Sequence, residues 1–297
     1  MKKRLLTGAV ILLVTIGFIC LRQFSLYFFD AFALVIMYGA LFEVTRIQKQ
    51  LNKDVTIWLL FVVPVLECAI FIFAQGYLIF LLQLALALLI ILVSLSKEIM
   101  GYSKKRNIAG GKPLENIPDL FGETKNNLMI FAYPILPLSF MFAINHIGFE
   151  LGYLGIIMIF VVAMMTDTFA YLVGSKFGKK KLIPEVSPKK SVEGFFGGFL
   201  GAILGIVILF LIIFYTNWLG IYASTEKGII VCAFIIIAII GSYANQLGDL
   251  IASAYKRKAG VKDFSNIFPG HGGFMDRVDG LMFVSIVVYL VIALMFV

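Results

Sequence analysis

With 297 residues, 61% hydrophobic and 14% charged at a mean hydropathy of +1.00, the chain lies far from soluble domains, where about 25% of residues are charged. This excludes a soluble globular protein and implies an all-α, polytopic integral membrane protein. The formal charge of +8 does not call for nucleic acid, because the basic residues gather in loops between apolar runs, as the positive-inside rule requires. Cys20, Cys68 and Cys232 each lie alone in an apolar run and read as small hydrophobes.

In chain order, Lys2, Lys3 and Arg4 precede an apolar run over 5–21. No small-residue cleavage pattern follows, so this run reads as an uncleaved first span. Further runs of roughly 17–25 residues, the length that crosses a bilayer, occupy 24–42, 55–74, 77–96, 127–144, 151–174, 195–215, 228–254 and 280–297. About nine spans result, divided into an N-terminal region, 1–126, with spans one to four, and a C-terminal region, 127–297, with spans five to nine. If the N-terminus is cytoplasmic, the segments 1–4, 43–54, 97–126, 175–194 and 255–279 face the cytoplasm and hold 23 of the 25 Lys and Arg residues. Only Arg22 and Lys227 fall outside, and the C-terminus emerges on the outer side.

Acidic residues inside spans are costly and turn toward protein or water. Asp30 and Glu67 fall in the outer half, where pairing competes with function as an explanation. Asp167, Asp249 and, at the mouth of the last span, Asp279 fall near the cytoplasmic ends, which points to one site. Asp249, Ser253 and Lys256 are spaced i, i+4, i+7 and form one polar stripe on a continuous helix. Asp276 and Asp279, at i and i+3, share a face if the last helix has begun by then. Between these helices Pro269-Gly270-His271-Gly272-Gly273 cannot be helical and exposes backbone N–H groups to an anion. Hard-oxygen ligands, a glycine loop and Lys/Arg together suit a divalent cation, Mg²⁺, holding a polyphosphate. Whether a second cation is present stays open.

A second polar segment follows Asp167. It holds Lys176, Lys179, Lys180, Lys181, Lys189 and Lys190, which suit the anionic head of a lipid or a nucleotide, and then Glu193-Gly194 and Gly197-Gly198 open the next span. Small residues there permit close helix approach.

The run S253-x-x-K-R-x4-K-D-x-S-x-x-F-P-G-H-G-G-F-x-D-R-V-D279 resembles the signature of the phosphatidate cytidylyltransferases, or CDP-diacylglycerol synthases. The upstream D167-x-x-A-Y and S187-P-K-K-S-x-E-G-x-x-G-G segments resemble that family too, so the similarity covers at least the C-terminal half. Tyr255 departs from the family's usual aliphatic residue or Phe, and Ser191 from its common Thr. The resemblance implies a nucleotidyltransferase of the cell membrane, facing the cytoplasm, that converts CTP and phosphatidate to CDP-diacylglycerol and pyrophosphate. By position in the motif, Asp249 and Asp276 would be metal ligands, with Asp279 a third or outer ligand. Lys256, Arg257, Lys262 and Arg277 would clamp phosphate. Ser253, Asp263, His271, Gly272 and Gly273 would line the nucleotide site, with Asp167, Lys189, Lys190 and Glu193 contributing to substrate binding. The resemblance further implies a homodimer.

Two other classes compete. A CTP-dependent polyprenol or phytol kinase would release CDP instead of pyrophosphate. An ion-coupled secondary transporter would show related halves and midplane acids, and no internal repeat is visible. The pattern of the CDP-alcohol phosphotransferases and the Walker G-x4-G-K-[ST] are both absent.

Overall fold

The computed structural model describes residues 2–108, 121–216 and 227–296. Lys112, part of the cytoplasmic charge tally, lies outside the described residues. Helix accounts for 82% of the structure. The order is α1 (Lys2–Leu21), α2 (Leu26–Gln50), α3 (Ile57–Phe73), α4 (Tyr77–Ile108), α5 (Gly122–Ile130), a π-helical turn (Phe131–Ile135) and α6 (Leu136–His146). Then follow α7 (Phe149–Phe177), β1 (Lys181–Ile183), β2 (Ser187–Ser191), α8 (Val192–Thr216), α9 (Lys227–Lys258), α10 (Met275–Val278) and α11 (Leu281–Phe296). Six helical segments, 26–50, 77–105, 122–146, 149–177, 192–216 and 228–258, are long and apolar enough to cross a membrane, and Leu6–Leu21, Ile57–Phe73 and Leu281–Phe296 are shorter apolar helices.

Two features depart from the sequence reading. The loop after α7 contains an antiparallel hairpin, with Lys181 opposite Ser191 and Ile183 opposite Ser187. The segment read as one span over 127–144 begins earlier, at Gly122, and is interrupted where Tyr133 (φ −155°, ψ 104°) leaves helical geometry before Pro134. Proline lacks the N–H and disfavours helical geometry in the residue before it, which favours a break at Tyr133.

Two compact units form, Leu34–Ser139 and Met1–Ala33 with Phe140–Val297. In the first, the N-terminus of α5 is capped from α4. Glu98 accepts the Glu123 amide at 2.6 Å and the Thr124 hydroxyl at 2.7 Å, satisfying donors that a helix start leaves without an intrahelical partner. Asn127 donates to Ser94 at 2.7 Å and to Thr56 at 3.1 Å. Glu67, fully buried in α3, accepts from Gln83 at 2.6 Å.

In the second unit Arg22 and Asp30 share a partner, Asn145. Arg22, fully buried after α1, donates to Asn145 Oδ1 at 2.6 Å, the Phe149 carbonyl at 2.9 Å and the Asn145 carbonyl at 3.0 Å. Burial pushes this guanidinium down to about 10, and it stays charged at neutral pH. Asp30 accepts from Asn145 at 2.8 Å and lies 2.9 Å from His146 Nε2. His146 is only 16% exposed, its ring turned onto Asp30. Arg22 is thus a clamp between the end of α1 and the corner where α6 meets α7.

The rest of this unit is packed through small residues. A Cβ on Gly194 would lie 2.7 Å from the Ala170 carbonyl oxygen and 3.1 Å from Gly174 Cα, so α7 and α8 cross at near backbone contact. Likewise a Cβ on Gly248 would meet the Asp279 carbonyl oxygen at 2.3 Å, and one on Gly280 would meet Asn245 Oδ1 at 2.3 Å. These contacts set α9 against the start of α11.

Candidate functional site: a polar chamber joined to an apolar cleft

Because α9 runs unbroken from Lys227 to Lys258, the stripe expected from spacing exists, and Ser253 donates to Asp249 Oδ1 at 3.3 Å. After α9 the chain turns at Gly260 (φ 68°) and enters an irregular loop that α10 closes. Asp276, at the start of α10, organises that loop. Its Oδ2 accepts the amides of Phe264 at 2.8 Å and Gly273 at 3.0 Å, and its Oδ1 lies 2.6 Å from Lys256 Nζ. Gly272 adopts φ 78° directly over this carboxylate, and a Cβ there would lie 2.6 Å from Asp276 Oδ2. Only glycine tolerates both the backbone conformation and the approach.

The loop and the ends of α7 and α9 enclose a chamber of about 450 Å³. Eleven residues singled out by sequence line it: Asp167, Lys189, Asp249, Lys256, Lys262, Asp263, His271, Gly272, Asp276, Arg277 and Asp279. A second cavity of about 290 Å³ shares Asp167, Lys189 and Asp249 with the chamber. It continues between α7, the hairpin and α8 along Ala170, Tyr171, Gly174, Leu182 and Phe195. One is walled mainly by charge and the other mainly by hydrocarbon, and the shared carboxylates lie where they join. Lys190 lines the cleft and pairs with Asp249 at 2.6 Å.

Among the described residues no three His, Cys, Asp or Glu side chains are close enough to enclose a metal by themselves. Mg²⁺ is commonly held by one or two carboxylates with phosphate oxygens completing its octahedron. Asp249 and Asp279, brought together by the Gly248 contact, and Asp276 offer hard oxygens of that kind to the chamber. The residues therefore fit the ion, provided a polyphosphate supplies the remaining ligands.

The sequence profile of the Cytidylyltransferase family matches residues 2–295. The chain belongs to that family. It is 39% identical over 157 residues to a phosphatidate cytidylyltransferase of Staphylococcus saprophyticus, covering 53% of this chain and 54% of that protein. A phosphatidate cytidylyltransferase of Staphylococcus aureus is 40% identical over 157 residues, again 53% and 54%. One of Staphylococcus epidermidis is 37% identical over 129 residues, 43% and 45%. The matched part spans about half the length of these curated relatives or somewhat less.

Besides Lys190, four sequence-selected residues of this cytidylyltransferase family member lie off the chamber wall with distinct jobs. Arg257 donates to the Val186 carbonyl at 3.2 Å, fastening the hairpin to α9. Ser253 bonds Asp249, and the Gly273 amide bonds Asp276. Glu193 accepts the Lys180 amide at 3.3 Å, which shapes the hairpin base. Tyr255, one of the two departures, stacks on Phe264 with ring centroids 5.9 Å apart, while Lys256 Nζ lies 5.4 Å over the same Phe264 ring. The unusual ring thereby packs against the loop residue whose amide Asp276 holds.

Three residues escaped the sequence reading. Asn245 donates to Asp167 Oδ1 at 2.7 Å, and Gln246, a cleft residue, donates to the Phe195 carbonyl at 3.2 Å. Neutral amides inside an apolar span carry the same signal as carboxylates there, and counting them would have found both. Gly8 of α1 is the third. A Cβ there would lie 3.3 Å from His271 Nε2, so α1 rests on the glycine loop. No local pattern reports that contact, because 263 positions separate the two residues.

Proposed function

We propose that the protein is a phosphatidate cytidylyltransferase: a phosphate oxygen of phosphatidate attacks the α-phosphorus of CTP, the bond to the β-phosphate bridging oxygen breaks, and CDP-diacylglycerol and pyrophosphate form. The observation that carries this reading is the junction of a charged chamber with an apolar-walled cleft at Asp167, Lys189 and Asp249. A nucleotide triphosphate suits the first compartment and a phosphate-headed lipid the second. The activity of the relatives, each named a phosphatidate cytidylyltransferase, supports it.

In this reading Lys262, Arg277 and Lys256 balance the triphosphate charge, and Asp263, His271 and the Gly272-Gly273 backbone orient the nucleotide. Lys189 and Lys190 hold the lipid phosphate against the α-phosphorus. Little covalent work falls to the protein, since the attacking oxygen is already ionised near neutral pH. Positioning and fixed positive charge supply the rate. Mg²⁺, held by Asp249 and Asp276 with Asp279 as a further ligand, would neutralise phosphate oxygens in the chamber. Nine crossings, a cytoplasmic chamber and a homodimer complete the proposal. The charge asymmetry of the loops supports the orientation.

Purified protein in detergent, given labelled CTP, Mg²⁺ and phosphatidate, is expected to yield a CDP-lipid and pyrophosphate in equal amounts. In a parallel reaction with a polyprenol in place of phosphatidate, CDP and a phosphorylated polyprenol as products, with no CDP-lipid formed from phosphatidate, would replace this reading with a lipid kinase.

A further inference from the structure

The hairpin between α7 and α8 carries more charge than the chamber uses. Lys176, Lys179, Lys180 and Lys181 are all exposed, and among the described residues none has its ammonium group within 4 Å of a carboxylate. Between positions 176 and 186 only Glu185 opposes them. Both flanking helices are long and apolar enough to cross a membrane. Near the hairpin those helices expose aromatic rings: Tyr171 is 74% exposed, Phe177 63% and Phe196 65%. Exposed aromatics at the ends of spans mark the headgroup level of a bilayer, and the four lysines follow within one or two turns. The hairpin is not a loose tail, since Arg257 holds the Val186 carbonyl and Lys190 pairs with Asp249. Its Leu182 forms part of the cleft wall.

We propose that this hairpin and the end of α7 form a contact surface for anionic phospholipids, the four exposed lysines holding phosphate headgroups of the bilayer beside the cleft. Basic clusters beside a span attract anionic lipid over about a Debye length. A rigid hairpin at headgroup height places that attraction beside the cleft that Leu182 helps to wall. Headgroup contact stands independently of the transfer reaction. Its consequence for catalysis, a raised local concentration of the lipid substrate, rests on the phosphatidate reading.

The test uses the full-length protein purified in neutral detergent and exposed to equimolar phosphatidylglycerol and phosphatidylcholine, with retained lipids counted by native mass spectrometry. Wild type is expected to keep the anionic lipid in preference. The quadruple variant Lys176→Gln/Lys179→Gln/Lys180→Gln/Lys181→Gln should lose that preference by about tenfold, and the corresponding quadruple Lys→Arg variant should keep it. Half-molar NaCl should remove the preference from wild type, a readout that needs no variant to fold. Equal retention by wild type and the glutamine variant, or a wild-type preference that salt leaves intact, overturns the proposal. So does a fall in CTP affinity with lipid retention unchanged, which would assign the lysines to the nucleotide. In turnover assays the KM for phosphatidate should rise about threefold or more while that for CTP holds. Failure of wild type to make any CDP-lipid would sink the transferase reading and leave the lipid-retention result standing.

Discussion

The Lys190 ammonium lies 2.6 Å from Oδ2 of Asp249 and joins the hairpin to α9 at the point where chamber and cleft meet. Both side chains are partly exposed, at 25% and 34%. Such a pair contributes about 0–1 kcal/mol to stability. Lys190→Ala should therefore leave thermal unfolding nearly unchanged, while kcat/KM for phosphatidate falls at least about tenfold, as expected for loss of a charge contact to substrate phosphate. Asp249→Asn should abolish turnover in a protein that still unfolds normally. Near-wild-type kinetics in either variant would remove that residue from the proposed site.

The Lys256–Asp276 pair behaves differently because it is buried, with side chains 11% and 5% exposed. Removing one partner of a buried pair costs about 3–5 kcal/mol. Asp276→Asn is expected to remove activity and also to loosen the loop, seen as faster hydrogen exchange at the Phe264 and Gly273 amides that Asp276 accepts. Adding Lys256→Met should restore part of the protection without restoring activity. Unchanged exchange in Asp276→Asn would show that the carboxylate does not hold the loop.

Gly248→Ala should separate the two acids that the Gly248 contact brings together. Its new Cβ would lie 2.3 Å from the Asp279 carbonyl oxygen, whereas Gly228 has nothing within 4 Å and Gly228→Ala serves as the control. Forced overpacking costs about 1–3 kcal/mol. A lowered Tm with a rise in the Mg²⁺ concentration needed for half-maximal rate is the expected result. Alanine at both positions behaving alike would contradict the close approach.

Gly8→Leu should push α1 away from His271. A severalfold weaker CTP affinity by titration calorimetry is expected, with phosphatidate KM unaffected. Combining it with His271→Ala should cancel the additional loss, because the clash disappears with the ring. Additive effects of the two changes would mean that α1 and the loop do not communicate.

How much of this was readable beforehand varies by feature. The α9 stripe from Asp249 to Lys256 and the non-helical glycine loop follow from local periodicity and from glycine and proline chemistry, and both are present. Asp30 was ambiguous in sequence. The structure gives it partners in Asn145 and His146, with Arg22 on the same asparagine. The β1–β2 pairing was invisible because three- and five-residue strands rich in lysine and proline have no apolar alternation to announce them.

By itself the sequence determined the apolar segments, the asymmetry of their basic loops and the residue types gathered between Asp249 and Asp279, because these depend on composition and short-range spacing. Only the tertiary structure decided that Asp276 is tied to Lys256 and two loop amides, that Asp249 is tied to Lys190, and that α1 rests on His271. Each is a contact between separate parts of the chain, and at Gly272 and Gly8 the missing Cβ leaves room for it. The free energy of such a contact depends on which helices meet, which spacing along one chain does not encode.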